Sequence, residues 1–252
     1  MNHKKKIVRQ FGQTALLYLN STIHAKGKDL AWLEKVMNSF IHKDKALDVA
    51  TGAGHTAFLA SRHFQHVIAL DLTRKMLAVA AEEAAKRNLA NIIFLSGDAA
   101  SMPFLDNTFD LVTCRIAAHH FLRPDQAVRE MYRVLKPGGL LILIDNIAPE
   151  DSRVAGILHH IEKLRDPSHV RCLSNNEWHQ LFHDVGFSNA NLYQTWSTGL
   201  AVNDWLDRAN PSCSNREQIN RLLKQLPPSW FRNQKIYLQK TFWICKKKKP
   251  DT

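Results

Sequence analysis

Between Lys45 and Asn146 short apolar runs alternate with stretches whose apolar residues recur at helical spacing. Unbroken apolar runs suit strands buried on both faces, and the helical spacing suits helices laid over them. The pattern therefore predicts βαβ units around a parallel sheet. Strands are expected over 46–50, 66–71, 92–96, 109–115 and 139–146, with helices over 56–62, 73–87 and 124–134. The last helix runs into Lys136-Pro137-Gly138-Gly139, where proline cannot continue it and the glycines release the chain into the next strand.

Two segments fall outside the alternation. Residues 7–40 precede the first strand and carry Phe11, Ala15, Tyr18 and Leu19 at helical spacing, which predicts one or two helices. Residues 149–173 interrupt the sheet with an amphipathic stripe of Ile157, Leu158, Ile161 and Leu164 between Pro149 and Pro167. Both are expected to cover the open edge of the sheet, above the active site. A helix over 178–185 closed by Gly186, then strands over 191–195 and 236–245, complete a single domain spanning 1–252.

The net charge of +11 raises the question of a nucleic-acid partner, but Lys4 to Lys6 and Lys246 to Lys249 supply seven of those charges. Terminal lysine runs are expected to be solvated tails, leaving a mildly basic body for which nucleic acid is a poor partner. The four cysteines, Cys114, Cys172, Cys213 and Cys245, lie far apart with no metal-like spacing, so neither zinc nor a disulfide framework is suggested. Arg9-Gln10 and Gly12-Gln13 break any leader-like apolar core, and no long apolar stretch follows. A cytosolic protein without a membrane span is expected, as monomer or homodimer.

The candidate chemistry begins at Asp48-Val49-Ala50-Thr51-Gly52-Ala53-Gly54, a strand running into a glycine turn. Gly52 and Gly54 permit positive φ and close approach of a nucleotide-like ligand to bare backbone. With His55-Thr56-Ala57 the turn also fits the dinucleotide pattern, so the glycines alone do not choose a cofactor. The acids do. Asp71 ends the second strand, where a carboxylate can accept both hydroxyls of a ribose, and Asp98 ends the third, beside the reach of an adenine edge. Asp48 lies beneath the glycines, where it would repel a pyrophosphate but suit an amino group and a sulfonium.

Together with Ala69-Leu70-Asp71-Leu72-Thr73, Gly97-Asp98-Ala99, Phe109-Asp110-Leu111-Val112-Thr113 and Arg133-Val134-Leu135-Lys136-Pro137-Gly138-Gly139, this run resembles the successive motifs of class I S-adenosylmethionine-dependent methyltransferases. Within that superfamily it is most similar to the group containing the menaquinone and ubiquinone C-methyltransferases. The resemblance implies a Rossmann-like, seven-stranded, mostly parallel α/β sheet with an antiparallel last strand and helices on both faces. It implies S-adenosyl-L-methionine as cofactor and S-adenosylhomocysteine as product. By the same resemblance Gly52 and Gly54 pack on the methionine part and Asp48 lies near its amino group. Asp71 holds the ribose, Leu72 packs on the adenine, Asp98 and Ala99 meet its edge, and Arg115 lines the methionine through its backbone. Ala50 departs from the pattern, since many members carry glycine there.

The acceptor side follows the fourth strand, at Arg115-Ile116-Ala117-Ala118-His119-His120-Phe121. His120, then His119, is the candidate general base, if the acceptor has a proton to lose; the opposing expectation is that one of them caps the turn. Phe11 and Tyr18 are candidates to close the site, and His159, Arg165 and Arg171 to line an acceptor pocket, an arginine there meeting an acidic group. Trp196 or Trp205 is a further candidate neighbour of the acceptor. The expected activity is methyl transfer to oxygen or carbon of a small-molecule metabolite. A carboxyl methyltransferase acting on a carrier-bound acyl group, an RNA methyltransferase and a non-catalytic cofactor sensor stand as alternatives.

Overall fold

In the computed structural model, which describes residues 2–41 and 43–249, three helices precede the sheet: α1 (His3–Leu19), α2 (Thr22–Ala25) and α3 (Lys28–Asn38). Residues 1, 42 and 250–252 of the expected domain span lie outside that description. The alternating segment becomes β1 (Lys45–Val49), α4 (His55–Ala60), β2 (His66–Asp71), α5 (Arg74–Lys86), β3 (Ile92–Ser96), β4 (Phe109–Arg115), α6 (Pro124–Val134) and β5 (Leu135–Asn146). Then come α7 (Ser152–Arg165), α8 (Asn175–Val185), β6 (Phe187–Ala201), α9 (Val202–Asp207), α10 (Cys213–Leu223), β7 (Phe231–Arg232) and β8 (Lys235–Lys247).

The strand order is β3-β2-β1-β4-β5-β8-β6. β1 to β5 pair in parallel, and β8 runs antiparallel to both β5 and β6. Seven strands form this path, and the eighth, β7, is a two-residue addition to β8. Winding outward from β1 to β3 and then restarting at β4 leaves a switch point between β1 and β4, where the strand ends open a crevice.

The period of two along each strand divides its side chains between two cores. Leu47, Val49, Val112, Cys114, Leu141 and Leu143 face one, which Met131 and Val134 of α6 and Trp178 and Phe182 of α8 close. Ala46, Leu111, Ile142 and Ile144 face the other, closed by Leu33 and Met37 of α3, Phe58 of α4 and Ala80 of α5. The helices owe their limits to local signals. A capping box joins Ser174 and Glu177 at the start of α8, Gly186 ends it at φ +101°, and Pro124 opens α6.

Three departures from the sequence expectation have physical causes. β5 starts at Leu135, because the Lys-Pro-Gly-Gly run stays in the strand as a bulge, its register against β4 slipping between Phe109 and Leu111 and Gly138 taking φ +80°. β6 is three times the expected length, but it is an edge strand with mostly exposed residues, so it shows little apolar pattern. α9 and α10 were not expected; α10 presents only Ile219, Leu222 and Leu223 as apolar residues among polar ones. With Val154, Leu158 and Ile161 of α7 they build a third core against Ile236 and Leu238 of β8.

The terminal lysines are not simply solvated tails. Lys4 to Lys6 belong to α1, and Lys247 lies in β8. Its ammonium donates to the carbonyls of Tyr132 (2.9 Å), Arg133 (3.3 Å) and Leu135 (2.8 Å) and to Asn107 Oδ1 (2.9 Å), at the carboxyl end of α6 where orphaned carbonyls favour a cation. Among the described residues no helix is long and apolar enough to cross a membrane. In urea unfolding, Lys247→Ala is expected to lose about 1–2 kcal/mol of stability, whereas exposed Lys246→Ala should change it by less than about 0.5 kcal/mol.

Candidate active site

The carboxyl ends of β1 to β4 frame a cavity of about 330 Å³. A smaller one of about 70 Å³ adjoins it, and both are lined by Phe11, Tyr18, His24, Ile116 and His120. Of the residues singled out from sequence, Asp48, Gly52, Asp71, Leu72, Asp98, Ala99, Arg115, Phe11, Tyr18 and His120 meet at the larger cavity.

The glycine turn has the expected conformation, with Gly52 at φ +55° and Gly54 at φ +89°. A Cβ on Gly54 would fall 2.7 Å from the Phe58 ring, so both φ and space demand glycine. Gly54 itself is absent from the cavity wall and shapes the turn from behind. Asp71 accepts the Gly52 N–H at 2.9 Å on one oxygen and the Thr73 N–H at 2.7 Å on the other, and each oxygen retains a lone pair. Burial raises its pKa against those two bonds. Asp48 is fully enclosed and accepts hydroxyl bonds from Thr51 (2.6 Å) and Thr113 (2.7 Å). Burial nonetheless pushes its pKa up to about 6, with the two threonines and Arg115 pulling the other way.

Asp98 accepts the Ala100 N–H at 2.9 Å and pairs with Lys4 at 2.5 Å, so α1 reaches directly across the cavity mouth. Burial raises the Asp98 carboxyl, but Lys4 and the amide outweigh it and the net shift is downward. The Arg115 side chain turns away into a buried pair with Asp29 at 2.5 Å and donates to the His24 carbonyl at 3.0 Å. His55 also lines the cavity, 3.3 Å from the Tyr18 carbonyl.

The paired histidines occupy a 3₁₀ turn, Ala118–His120, and face different partners. Asp145, at the end of β5, grips His119 twice, taking its N–H at 2.8 Å and its ring Nδ1 at 2.6 Å. Burial works against protonation of that ring, but Asp145 outweighs it and the pKa rises. His120 Nδ1 lies 3.1 Å from the Ser168 carbonyl and 3.2 Å from its hydroxyl, which itself donates to Asp166. Both oxygens can only accept there, so Nδ1 carries the proton and Nε2 is bare. Burial and the His119 charge lower His120 to about 4. The sequence ranks His120 first as a base; the electrostatics reverse the order of basicity, and neither ring caps the following turn, His119 being held by Asp145 and His120 by Ser168.

Arg165 lines the smaller cavity, as does Trp205, on which its guanidinium stacks. His159 and Arg171 do not line either: both are exposed, and Arg171 pairs with Glu177 at 2.6 Å. Trp196 is in the core against Trp32. His24, Asp145, Arg208 and Lys240 were not singled out. For Asp145 the signal was present, since it is an acid ending an apolar strand, as Asp71 is; the others come from helices, loops and an antiparallel strand with no motif.

Residues 47–143 match the family model of a methyltransferase domain. Over 209 residues the chain is 37% identical to the uncharacterized methyltransferase YcgJ of Bacillus subtilis, spanning 83% of this chain and 82% of that protein. This chain belongs to the S-adenosylmethionine-dependent methyltransferases. The methyltransferase is also 33% identical over 161 residues to a demethylmenaquinone methyltransferase of Thermotoga maritima, 62% of this chain and 68% of that one. The crystal structure of YcgJ superposes with a TM-score of 0.83 at 32% identity, covering 88% of this chain and 99% of that chain.

Asp48 gives the methyltransferase a measurable pH dependence. Its folded pKa lies above the unfolded value, so between about pH 4 and 6 the native state binds the extra proton, and stability falls as pH rises through that window. Asp48→Asn should flatten this slope and stabilise the ligand-free protein at pH 7 by about 1–3 kcal/mol in denaturant titrations repeated from pH 4.5 to 7.5.

Proposed function

We propose that this methyltransferase uses S-adenosyl-L-methionine to methylate oxygen or carbon of a small, planar acceptor. The observation that carries the reading is the pair of adjoining cavities, one walled by carboxylates at strand ends and the other by basic side chains, sharing the aromatic wall of Phe11, Tyr18 and His120. The larger cavity suits the cofactor chemically. Asp71 has lone pairs left for a ribose diol, and Asp48 gains from a positive amino group nearby. Gly52 leaves room at the methionine part, Leu72 and Ala99 offer apolar contact to a base, and Asp98 is placed for its edge once Lys4 shares or yields the carboxylate. Bound there, the cofactor supplies a methyl group on a sulfonium, already a good leaving group.

The protein's share of the chemistry is then orientation, exclusion of water and disposal of one proton. α1, which starts at His3, ahead of the expected 7–40, and α7, within 149–173, supply cover: Phe11 packs edge-on to Tyr18 (5.4 Å) and to His120 (5.0 Å), and His3 Nε2 donates to the His120 carbonyl at 2.8 Å. His120, whose low pKa keeps its ring neutral, flanks the acceptor. His119, with Nδ1 held by Asp145, takes the acceptor's proton on Nε2, as an oriented imidazole does in other acid–base sites. The Thermotoga relative is named for a quinone-ring acceptor, and a flat ring of that kind suits the aromatic wall. The electrostatic motive for RNA or an acidic carrier is weakened, because Lys4 is committed to Asp98 and Lys247 to backbone carbonyls.

Calorimetric titration with S-adenosylhomocysteine should give saturable binding, weakened about 10- to 100-fold by Asp71→Ala, the worth of one or two charge-assisted hydrogen bonds; affinity for NADH instead would overturn the cofactor assignment. His119→Ala should lower kcat toward a hydroxyl-bearing aromatic acceptor by about 10²-fold or more with cofactor affinity unchanged. Asp145→Asn should lower kcat and move the ascending limb of the pH–rate profile toward acid, since the group that raises the His119 pKa is gone. Full activity of both variants would leave proximity as the whole mechanism.

A further inference from the structure

The smaller cavity holds three cations, and their charges are unequally committed. The Arg165 guanidinium donates to Glu162 at 3.0 Å and to the Trp205 carbonyl at 3.2 Å, and lies 4.6 Å over the Trp205 ring. Its charge is spoken for. Lys240, on β8 directly opposite Asn146 of β5, is buried, yet no hydrogen bond or ion pair reaches its ammonium among the described residues. Arg208, half-buried just past α9, is likewise without a hydrogen bond or ion pair from its guanidinium.

The acids around them are engaged elsewhere. Asp166 accepts the N–H and hydroxyl of Ser168 at 2.8 and 2.6 Å, Asp145 holds His119, and Asp29 pairs with Arg115. An enclosed ammonium without a counter-anion is costly. Burial, aided by Arg115 and Arg208 and opposed by Asp29 and Asp145, pushes Lys240 down to about 8.

We propose that the smaller cavity seats an acidic substituent of the acceptor, a carboxylate held between Lys240 and Arg208. This rests on the methyltransferase reading above and names the acceptor class within it: a flat ring carrying both the atom to be methylated and a carboxylate. Arg208 offers the planar fork that matches a carboxylate, and Lys240 a point charge. The charge is limited to one, because Glu162 and Asp166 stand in the same wall and would repel a dianion. Phe11, Tyr18 and His120 then flank the ring as it passes from the acid seat to the larger cavity.

The test uses the protein saturated with S-adenosylhomocysteine, titrated calorimetrically with 4-hydroxybenzoate, its methyl ester and 4-hydroxyphenyl phosphate. The acid should bind at least about tenfold more tightly than the ester, and Lys240→Met and Arg208→Gln should each weaken the acid by about tenfold while leaving the ester unchanged. Lys240→Met exchanges a buried ammonium for an apolar chain of similar length, which a core accepts, and Lys240→Arg should recover affinity to within about threefold. S-adenosylhomocysteine affinity should stay within about twofold in all of these variants, since Lys240 and Arg208 lie outside the larger cavity. The proposal falls if the acid does not bind, if acid and ester bind alike, if the variants leave the acid untouched, or if the phosphate binds more tightly than the carboxylate. Failure of the wild type to bind S-adenosylhomocysteine would instead overturn the underlying reading, and this one with it.

Discussion

The bidentate hold of Asp71 on the backbone N–H groups of Gly52 and Thr73 is the bond on which the rest of the site depends. It joins the turn after β1 to the turn after β2, so that two neighbouring parallel strands end in one rigid rim. Without it, a left-handed Gly52 would have an unpaired donor and the turn a reason to relax. With it, the carboxylate is fixed by backbone alone, and its remaining lone pairs face the cavity. A diol placed there would meet an acceptor that needs no reorganisation.

The same economy governs the other buried charges. Asp48 is held by two threonine hydroxyls, Asp145 by His119, Asp29 by Arg115 and Glu162 by Arg165. Asp48 with Thr113, Asp145 with His119 and Asp29 with Arg115 join different segments, so the elements that bring them are held in register by polar contacts as well as by the two cores, while Glu162 and Arg165 pair within α7. Against that background the unpartnered cations stand out. Lys240 and Arg208 lie on β8 and just past α9, the parts of the chain farthest in sequence from the glycine turn. The division agrees with the architecture: β1 to β4 shape the larger cavity, and the later additions shape the smaller one.

That division also explains what was legible in the sequence. The strands 66–71, 92–96 and 109–115 and the helix 124–134 were readable to the residue, because buried parallel strands and their helices carry their pattern locally. Asp48, Asp71 and Asp98 were readable because each lies at or beside the carboxyl end of such a strand. The acceptor side was not. Lys240 sits in an antiparallel strand and Arg208 at the end of a six-residue helix, and neither position is marked by spacing. His159 and Arg171 looked eligible because they lie in the interrupting segment, yet α7 turns its Val154, Leu158 and Ile161 inward and leaves His159 outside, while Arg171 finds Glu177 in the following helix. Only packing against α9 and α10 decides that face, and the polar composition of α10 hid it.

Backbone strain marks where the fold is bent to its task. Ala50 and Ile116 follow β1 and β4, the two strands flanking the switch point, and both take positive φ near +54°. For a β-branched residue such as Ile116 that conformation is uncommon and costs about 1–3 kcal/mol. Its N–H is still satisfied by the Ile144 carbonyl at 2.7 Å, and three residues on, the His119 N–H reaches Asp145 at 2.8 Å. These bonds to β5 hold the kink that a relaxed strand end would lose. The kink in turn lifts the histidine turn off the sheet and into the wall between the cavities, so that ordinary core packing underwrites a strained and functional corner.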